Sequence, residues 1–355
     1  MAMDITIQLG DAVKRGASDI FIIAGRPLVY KLAGKLTNVD DRRLLPADTE
    51  EFVRQIYLLA GGRSIDKLLA TGDDDFSFAV KGISRFRVSA YKQRSSLAAV
   101  VRVITFELPD PAALHIPEAV LKLADRTKGM VLVTGSAGSG KSTTLACMID
   151  RINRSRADHI ITLEDPLEYL HSHKMSIVSQ RETGSDTESY LAALRGALRQ
   201  SPDVILLGEM RDYETITVAM TAAETGHLLF SSLHTVGAAN TIDRILDVFP
   251  PSQQHQIAVQ LAMVLQAVVS QQLLPTADGG LMPVFEIMVV NPAIRNMIRE
   301  NKVHQIDTVI ASGAEEGMVA MDASILDLCR RGVITERTAL TYAASPEILA
   351  KKLKL

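Results

Sequence analysis

The sequence predicts an α/β protein whose larger part is a mostly parallel β-sheet with helices on both faces. From residue 128 onwards, apolar runs of strand length alternate with segments of helical character, and this alternation is typical of a parallel sheet. The strand runs carry few polar residues, as expected where helices cover both faces of the sheet. Strands are predicted at 130–134, 159–163, 204–208 and 227–232, and helices up to about 154, at about 187–200 and 213–225, and from about 237.

The chain is expected to divide into four parts. Residues 1–106 mix short strands and helices and predict a smaller N-terminal α+β domain, with strands near 19–23, 28–32, 76–80, 85–90 and 98–105. Residues 107–117 hold three prolines and are the best candidate for an interdomain linker. Residues 118–275 form the predicted nucleotide-binding core. Residues 276–355 are predicted to be mainly helical, and helix is expected from about 252 onwards apart from 283–290.

Composition narrows the classes of function. The net charge of −3 and the pI of about 6.3 do not favour a general nucleic-acid-binding surface. The two cysteines, Cys147 and Cys329, are far apart, so we expect no disulfide framework and no zinc site, which fits a reducing cytosol. The first residues lack the apolar core of a signal peptide, and no apolar run approaches the roughly 18–20 residues of a membrane-spanning helix. Any membrane role is therefore expected to depend on a partner.

A glycine-rich segment follows the first predicted strand of the sheet. It reads GSAGSGKST and matches the P-loop pattern G-x-x-x-x-G-K-[ST], between a strand and a helix as that motif requires. Glycines let the backbone N–H groups face phosphate oxygens, and the helix dipole adds positive potential. Lys141 would reach the β- and γ-phosphates, and the Ser142 hydroxyl would ligate Mg²⁺. The alternative is a glycine-rich turn that matches by chance. The candidate nucleotide-binding residues are Gly135, Ser136, Ala137, Gly138, Ser139, Gly140, Lys141, Ser142 and Thr143.

Acidic residues follow two further strands, at the edge where ligands of open α/β sheets bind. Glu209 ends the run VILLGE, in which Gly208 occupies the position where Walker-B strands commonly carry aspartate. Glu209 could act as general base or hold Mg²⁺ through water. Glu164 could position that water. The alternative for Glu209 is a residue that caps the next helix, a role that Asp212 also fits. The alternative for Glu164 is a residue of a structural turn.

Two histidines flank the predicted strand 227–232. His234, at the carboxyl end, could sense the γ-phosphate, whereas geometry alone does not place His227 at the start. Their separation makes them poor candidates for a metal pair, and a lone histidine is commonly structural.

Four arginines lie close to the last two strands of the N-terminal domain: Arg85, Arg87, Arg94 and Arg102. An NTPase needs a cation on the charge that develops at the γ-phosphate, and in ring assemblies a neighbouring subunit commonly supplies it. By pattern alone, arginines that alternate along a strand are more often a solvated face.

With these motifs in place, the sequence resembles the family of PilT-type retraction ATPases of type IV pili, within the superfamily of secretion ATPases. The resemblance covers nearly the whole chain. Its departures are Ser136-Ala137 where Pro-Thr is more frequent and Met297 where leucine is usual, and neither removes a phosphate or metal ligand. The matching segments are GSAGSGKST at 135–143, TLEDPLEY at 162–169, ILLGEMRD at 205–212, TGHLLFSSLHT at 225–235, RFRVSAY at 85–91 with VVR at 100–102, and AIRNMIRE at 293–300.

The resemblance implies a hexameric ring that binds ATP and Mg²⁺ where subunits meet. It implies a RecA-like core, a PAS-like N-terminal domain and a helical C-terminal part. Arg87 and Arg102 match arginines that reach the nucleotide from the N-terminal domain, whereas Arg85 and Arg94 stay unassigned. Glu209 matches the catalytic glutamate and Glu164 the acid of the Asp box, and His227 and His234 match the His box.

The implied function is ATP-driven pilus retraction and twitching motility. The resemblance implies a cytoplasmic protein at the inner face of the membrane, partnered by an inner-membrane platform protein and by other pilus ATPases, without direct nucleic-acid contact. Assembly-type relatives carry a four-cysteine insert that this sequence lacks, which favours retraction over assembly. A DNA-translocating ring and a non-catalytic nucleotide switch are the alternatives from other classes. The AIRNMIRE segment also fits an ordinary amphipathic helix, with Ile294, Met297 and Ile298 on its buried face.

Overall fold

The computed structural model describes residues 4–32, 34–104 and 108–353, which form two compact units. The first unit comprises the described residues up to 104 together with Leu167–Leu170, and the second comprises the remainder. Residues 105–107, which include the end of the predicted strand 98–105, the predicted boundary at 106 and the first linker residue, lie outside the described residues. The division of the chain at 106, 117 and 275 stays a prediction.

The first unit is an antiparallel sheet covered by helices. Its strands pair in the order β3-β2-β1-β6-β5-β4, and Phe52, Ile56 and Phe86 are among the large side chains of its buried core. Its elements are α1 (Ile5–Lys14), β1 (Ala17–Ile22), β2 (Val29–Leu32), β3 (Lys35–Asn38), α2 (Pro46–Leu59), α3 (Asp66–Thr71), β4 (Asp73–Val80), β5 (Ser84–Gln93) and β6 (Ser96–Ile104).

The second unit is built on a seven-stranded sheet in the order β13-β12-β7-β11-β10-β8-β9. Every neighbouring pair is parallel except β12 and β13, which form an antiparallel hairpin. Its elements are α4 (Glu118–Leu121), β7 (Gly129–Thr134), α5 (Lys141–Ser155), β8 (His159–Glu164), β9 (Ile177–Glu182), α6 (Tyr190–Ala197), β10 (Val204–Leu207), α7 (Tyr213–Glu224), β11 (Leu228–Leu233), α8 (Ala238–Asp247), α9 (Pro251–Val264), β12 (Leu265–Pro275), β13 (Leu281–Val289), α10 (Pro292–Arg299), α11 (Ile306–Ser312), α12 (Met321–Arg330), α13 (Glu336–Tyr342) and α14 (Pro346–Leu353).

The alternation of side chains along β7 explains the layers of this unit. Met130 and Leu132 pack with the helices α6–α10 on one face of the sheet, and Val131 and Val133 pack with α4 and α5 on the other. Because both faces are covered, all six residues of β7 are buried. The predicted α/β fold, a mostly parallel sheet with helices on both faces, is confirmed.

One expectation about secondary structure is wrong. The helical region predicted from about 252 contains the strand β12, which pairs in parallel with β7 and antiparallel with β13. The hairpin also spans the predicted domain boundary at 275, because β12 lies before this boundary and β13 lies after it. An apolar run such as 264–269 has the same composition in a buried strand as in a buried helix, so periodicity alone does not separate them. Within the described residues, no helix combines the length and the apolar character needed to cross a bilayer.

Candidate nucleotide-binding site

The P-loop connects the end of β7 to the start of α5 through three glycines with positive φ. The φ angles are +145° at Gly135, +76° at Gly138 and +89° at Gly140, a region that other residues rarely adopt. Gly140 is the N-cap residue of α5 and has no side chain with which to cap the N–H groups of the first turn. These N–H groups and the helix dipole form an anion-binding end of the helix.

Close packing against β12 is a second reason why glycine is required at two of these positions. A Cβ atom at Gly135 would lie 2.1 Å from the backbone oxygen of Gln271, and one at Gly140 would lie 2.8 Å from Nε2 of Gln271. A side chain at Gly135 would therefore push the loop away from the sheet, and one at Gly140 would displace the amide of Gln271.

Lys141 is buried at the centre of the loop. Its ammonium group donates hydrogen bonds to the carbonyl oxygens of Gly135, at 2.8 Å, and Ser136, at 2.9 Å. Nδ1 of His234 lies 3.4 Å from the same nitrogen. Burial lowers the pKa of Lys141, and the charge of Glu209 opposes that shift. An anion bound beside Lys141 would favour the charged form of the lysine and oppose this lowering of its pKa.

Glu209 follows β10 and is 9% exposed. One carboxylate oxygen lies 2.5 Å from Nη2 of Arg211, and the other lies 3.4 Å from Nε2 of His234. Lys141, His234, Glu209 and Arg211 thus form a continuous row of charged or titratable groups. Lys141, Glu209 and His234, all predicted from sequence, are brought together here, whereas sequence reasoning gave Arg211 no role.

Tyr190 is a second residue that sequence reasoning missed. A Cβ atom at Gly208 would lie 2.7 Å from the Tyr190 hydroxyl, which explains why glycine occupies the position where Walker-B strands commonly carry aspartate. Burial raises the pKa of Tyr190, and the negative charges of Glu209, Asp165 and Glu164 raise it further. Tyr190 therefore stays a neutral hydroxyl beside the acidic side chains of this edge.

Glu164 is the last residue of β8, three strands from β7 in the sheet. At about 4.8 Å between neighbouring strands, this places it roughly 14 Å from the strand that carries the P-loop. Oε1 of Glu164 accepts a hydrogen bond of 3.4 Å from Nε2 of Gln180. Glu164 is therefore better placed to contact phosphate through water than directly.

The residues at this edge fit a nucleotide with Mg²⁺. Ser142 is exposed in the first turn of α5. The Ser139 hydroxyl is buried without a hydrogen-bond partner among the residues that the structure describes. Hydroxyl and carboxylate oxygens are ligands that Mg²⁺ prefers, usually together with phosphate and water.

His227 lies at the opposite end of β11. Its Nδ1 is 2.9 Å from the carbonyl oxygen of Ala222, and six strand residues separate it from His234, roughly 23 Å along the strand. The structure does not bring His227 to the P-loop edge. Asp212 caps α7 by accepting a hydrogen bond from the N–H of Thr215, so the capping interpretation of that residue is confirmed.

All four arginines belong to the first unit. Arg87 and Arg102 stand directly opposite each other on β5 and β6. Nε of Arg102 lies 3.0 Å from the buried carboxylate of Asp19, whereas the side chain of Arg87 has no hydrogen bond or ion pair within the described ranges. Like charges directly opposite each other destabilise a sheet, and the carboxylate of Asp19 offsets one of these two charges. Arg85 stands opposite Ile104, and Arg94 lies in the turn between the two strands with a φ of +46°.

The AIRNMIRE segment forms α10. Ile294 and Ile298 are fully buried, and Met297 packs against the same core. Nη1 of Arg295 binds the carbonyl oxygens of Ala262, at 2.5 Å, and Met263, at 3.0 Å, near the end of α9. A cation at the carboxyl end of a helix stabilises it, so α10 holds α9 at the point where β12 begins.

The P-loop on a doubly covered parallel sheet, with acidic and histidine side chains at the same edge, defines a P-loop nucleoside triphosphatase. Within that class, the chain belongs to the family of type II/IV secretion system proteins, whose sequence profile matches residues 1–337. The family predicted from the motifs is confirmed.

Three relatives are similar over most of their length. The type IV pilus retraction ATPase PilT of Pseudomonas aeruginosa is 42% identical over 345 residues, which are 97% of this chain and 99% of that protein. A twitching motility protein of Neisseria gonorrhoeae is 49% identical over 277 residues, 78% of this chain and 74% of that protein. A crystal structure of the pilus retraction motor PilT with bound ADP superposes with a TM-score of 0.89 at 44% identity, covering 98% of this chain and 99% of that one.

Proposed function

We propose that this protein is an ATPase that powers the retraction of type IV pili. The observation that carries the proposal is the 42% identity to a pilus retraction ATPase over 97% of the chain, combined with a P-loop edge on which Lys141, His234 and Glu209 are in contact. Because the identity extends through both units, it supports the motor function as well as nucleotide binding.

The geometry of the P-loop supports the chemistry that we propose for it. The N–H groups at the start of α5 bind the phosphates, and Lys141 exchanges its two carbonyl partners for phosphate oxygens. The Ser142 hydroxyl would hold Mg²⁺ together with phosphate and water, and the bound ion would supply charge neutralisation at the β- and γ-phosphates. The P-loop residues Gly135 to Thr143 form the binding loop as a whole.

The hydrolytic step is assigned to groups at the neighbouring strand ends. Glu209 orients the attacking water and accepts its proton. His234 lies between Lys141 and Glu209 and contacts the γ-phosphate. Glu164 acts through water. His227 keeps a role only as a residue of the His box, away from the phosphates of its own subunit.

The charge that develops on the γ-phosphate needs a further cation, and Arg87 and Arg102 are the candidates. We propose that a homohexamer places these arginines at the nucleotide of an adjacent subunit. Hydrolysis would then move the N-terminal domain about the predicted linker 107–117 and drive pilin withdrawal through an inner-membrane platform protein. In this proposal the hexamer works at the cytoplasmic face of the membrane, meets the membrane through partners, and cooperates with other pilus ATPases.

A deletion of the gene in its native host tests the direction of the motor. Abundant surface pili with loss of twitching motility are expected, together with recovery when the wild-type gene is restored. Cells without pili would instead identify an assembly ATPase. Normal pili and motility, with ATPase activity that DNA stimulates, would favour a DNA-translocating ring.

A further inference from the structure

Strand β12 runs beyond the end of β7 and lies over the P-loop. Ser270 pairs with Thr134, the last residue of β7, and β12 continues to Pro275. The residue after this pair, Gln271, therefore stands beside the first residue of the P-loop.

Gln271 contacts the P-loop through both its backbone and its side chain. Its backbone oxygen packs against Gly135, its Nε2 packs against Gly140, and its Oε1 accepts a hydrogen bond of 2.7 Å from the Thr144 hydroxyl. Thr144 is fully buried in the first turn of α5, and Gln271 is 3% exposed. A buried amide with this partner fixes the first turn of α5 against the sheet, since loss of the bond would leave polar groups unsatisfied.

Ser270, the residue before Gln271 on β12, contacts the second loop of the site, which follows His234. The Ser270 hydroxyl accepts a hydrogen bond of 2.9 Å from the N–H of Gly237, in the loop that follows His234. Consecutive side chains of a strand point to opposite faces, and α5 and α8 cover opposite faces of this sheet. Two neighbouring residues of β12 thus fix the loops that carry Lys141 and His234 relative to each other.

We propose that Gln271 is a positioning residue for nucleotide binding. Through Thr144 and the two glycine contacts, it holds the P-loop in the geometry in which its N–H groups face the phosphates. The proposal rests on nucleotide binding by the P-loop, and not on which process the ATPase drives.

The test is a titration of the full chain with a fluorescent ADP analogue. The variants are Gln271→Leu, which keeps the approximate size and removes the amide, Thr144→Val, which removes the hydroxyl, and the double variant. Gln272→Leu is the matched control, because it makes the same change at the next residue of β12, whose side chain points to the other face. Thr144→Ser retains the donor. Thermal unfolding of each variant separates a loss of affinity from a loss of folded protein.

Gln271→Leu and Thr144→Val are each expected to weaken ADP binding by roughly three- to tenfold, the range for one lost buried hydrogen bond. The double variant should bind no more weakly than the worse single variant, because both changes remove one interaction. Gln272→Leu and Thr144→Ser should bind like wild type. Should Gln271→Leu fail to fold, the contrast between Thr144→Val and Thr144→Ser decides the question.

Unchanged affinity in folded Gln271→Leu, or effects that multiply in the double variant, would overturn the proposal. Equal weakening by Gln272→Leu would also overturn it. A wild-type chain that does not bind the analogue would instead refute the nucleotide site itself, so the two failures are distinguishable.

Discussion

The guanidinium group of Arg211 lies 2.5 Å from the carboxylate of Glu209, two residues earlier in the chain. The arginine side chain is 72% exposed, whereas the glutamate side chain is 11% exposed. A charge-assisted hydrogen bond of this length restricts the carboxylate to one orientation, towards His234 and the P-loop edge. We therefore expect Arg211 to position the residue that we propose as general base.

Replacing Arg211 with alanine is expected to lower kcat by roughly tenfold with little change in KM. The physical reason is that Arg211 orients Glu209 without belonging to the phosphate-binding loop, so its loss affects hydrolysis more than binding. Steady-state phosphate release measures both constants. Arg331→Ala removes an equally exposed arginine from an ion pair with Asp327 and is the control. An increase in KM with unchanged kcat would contradict the positioning role.

Replacing Glu209 with glutamine should separate binding from hydrolysis. The amide keeps the shape of the side chain but cannot accept a proton from water, so the hydrolysis rate should fall by about 10²–10⁴-fold while ATP affinity is retained. Phosphate release and equilibrium titration with ATP are the two measurements. Glu214→Gln, at an exposed position in the first turn of α7, should behave like wild type. Hydrolysis at the wild-type rate by Glu209→Gln would remove that residue from the mechanism.

The arginine pair predicts complementation between subunits. Arg87→Ala and Lys141→Ala should each abolish most ATP hydrolysis, because one lacks the cation and the other lacks the phosphate-binding lysine. Mixing the two variants should restore part of the activity, since some junctions then combine an intact Arg87 with an intact Lys141. Arg54→Ala, which breaks an exposed ion pair with Glu50 in the same unit, should retain full activity. A mixture as inactive as its components would exclude Arg87 as a group that acts in an adjacent subunit.

The burial of His171 predicts that the folded protein loses stability in acid. Burial lowers the pKa of His171 from 6.5 to about 4, so between these values the unfolded chain binds a proton that the folded protein excludes. Stability should therefore fall as the pH decreases through this window, by up to about 3 kcal/mol.

The measurement is the free energy of unfolding of wild type and of His171→Leu at several pH values. The difference between the two should shift in favour of the variant as the pH falls from 6.5 to about 4. His255→Leu makes the same change at an exposed position of α9 and is the matched control. Parallel profiles for wild type and His171→Leu would contradict the prediction.

The sequence predicted the fold and the centre of the site because both depend on local patterns. Apolar strands before Gly135, Glu164, Glu209 and His234 define a parallel sheet and, with it, the edge at which these residues meet. The family match extended this reasoning to the N-terminal strands. Whether Arg87 reaches a nucleotide stays a prediction, because that contact involves another subunit.

The residues that were missed depend on contacts between distant parts of the chain. Gln271 lies in a strand that the apolar pattern assigned to a helical region, and its partner Thr144 is 127 positions away. Arg211 is indistinguishable in sequence from an ordinary surface charge. The Tyr190 hydroxyl fits at its position because Gly208 has no side chain there. This steric relationship cannot be recognised from the sequence. The contacts of these three residues could be recognised only in the three-dimensional structure.

The most direct test of the central claim is to follow fluorescently labelled pili on living cells that carry Lys141→Ala in place of the wild-type chain. We predict that the pili extend normally and then fail to retract, whereas wild-type cells retract them. Retraction at the wild-type rate in the Lys141→Ala strain, or cells that never extend pili, would contradict the account.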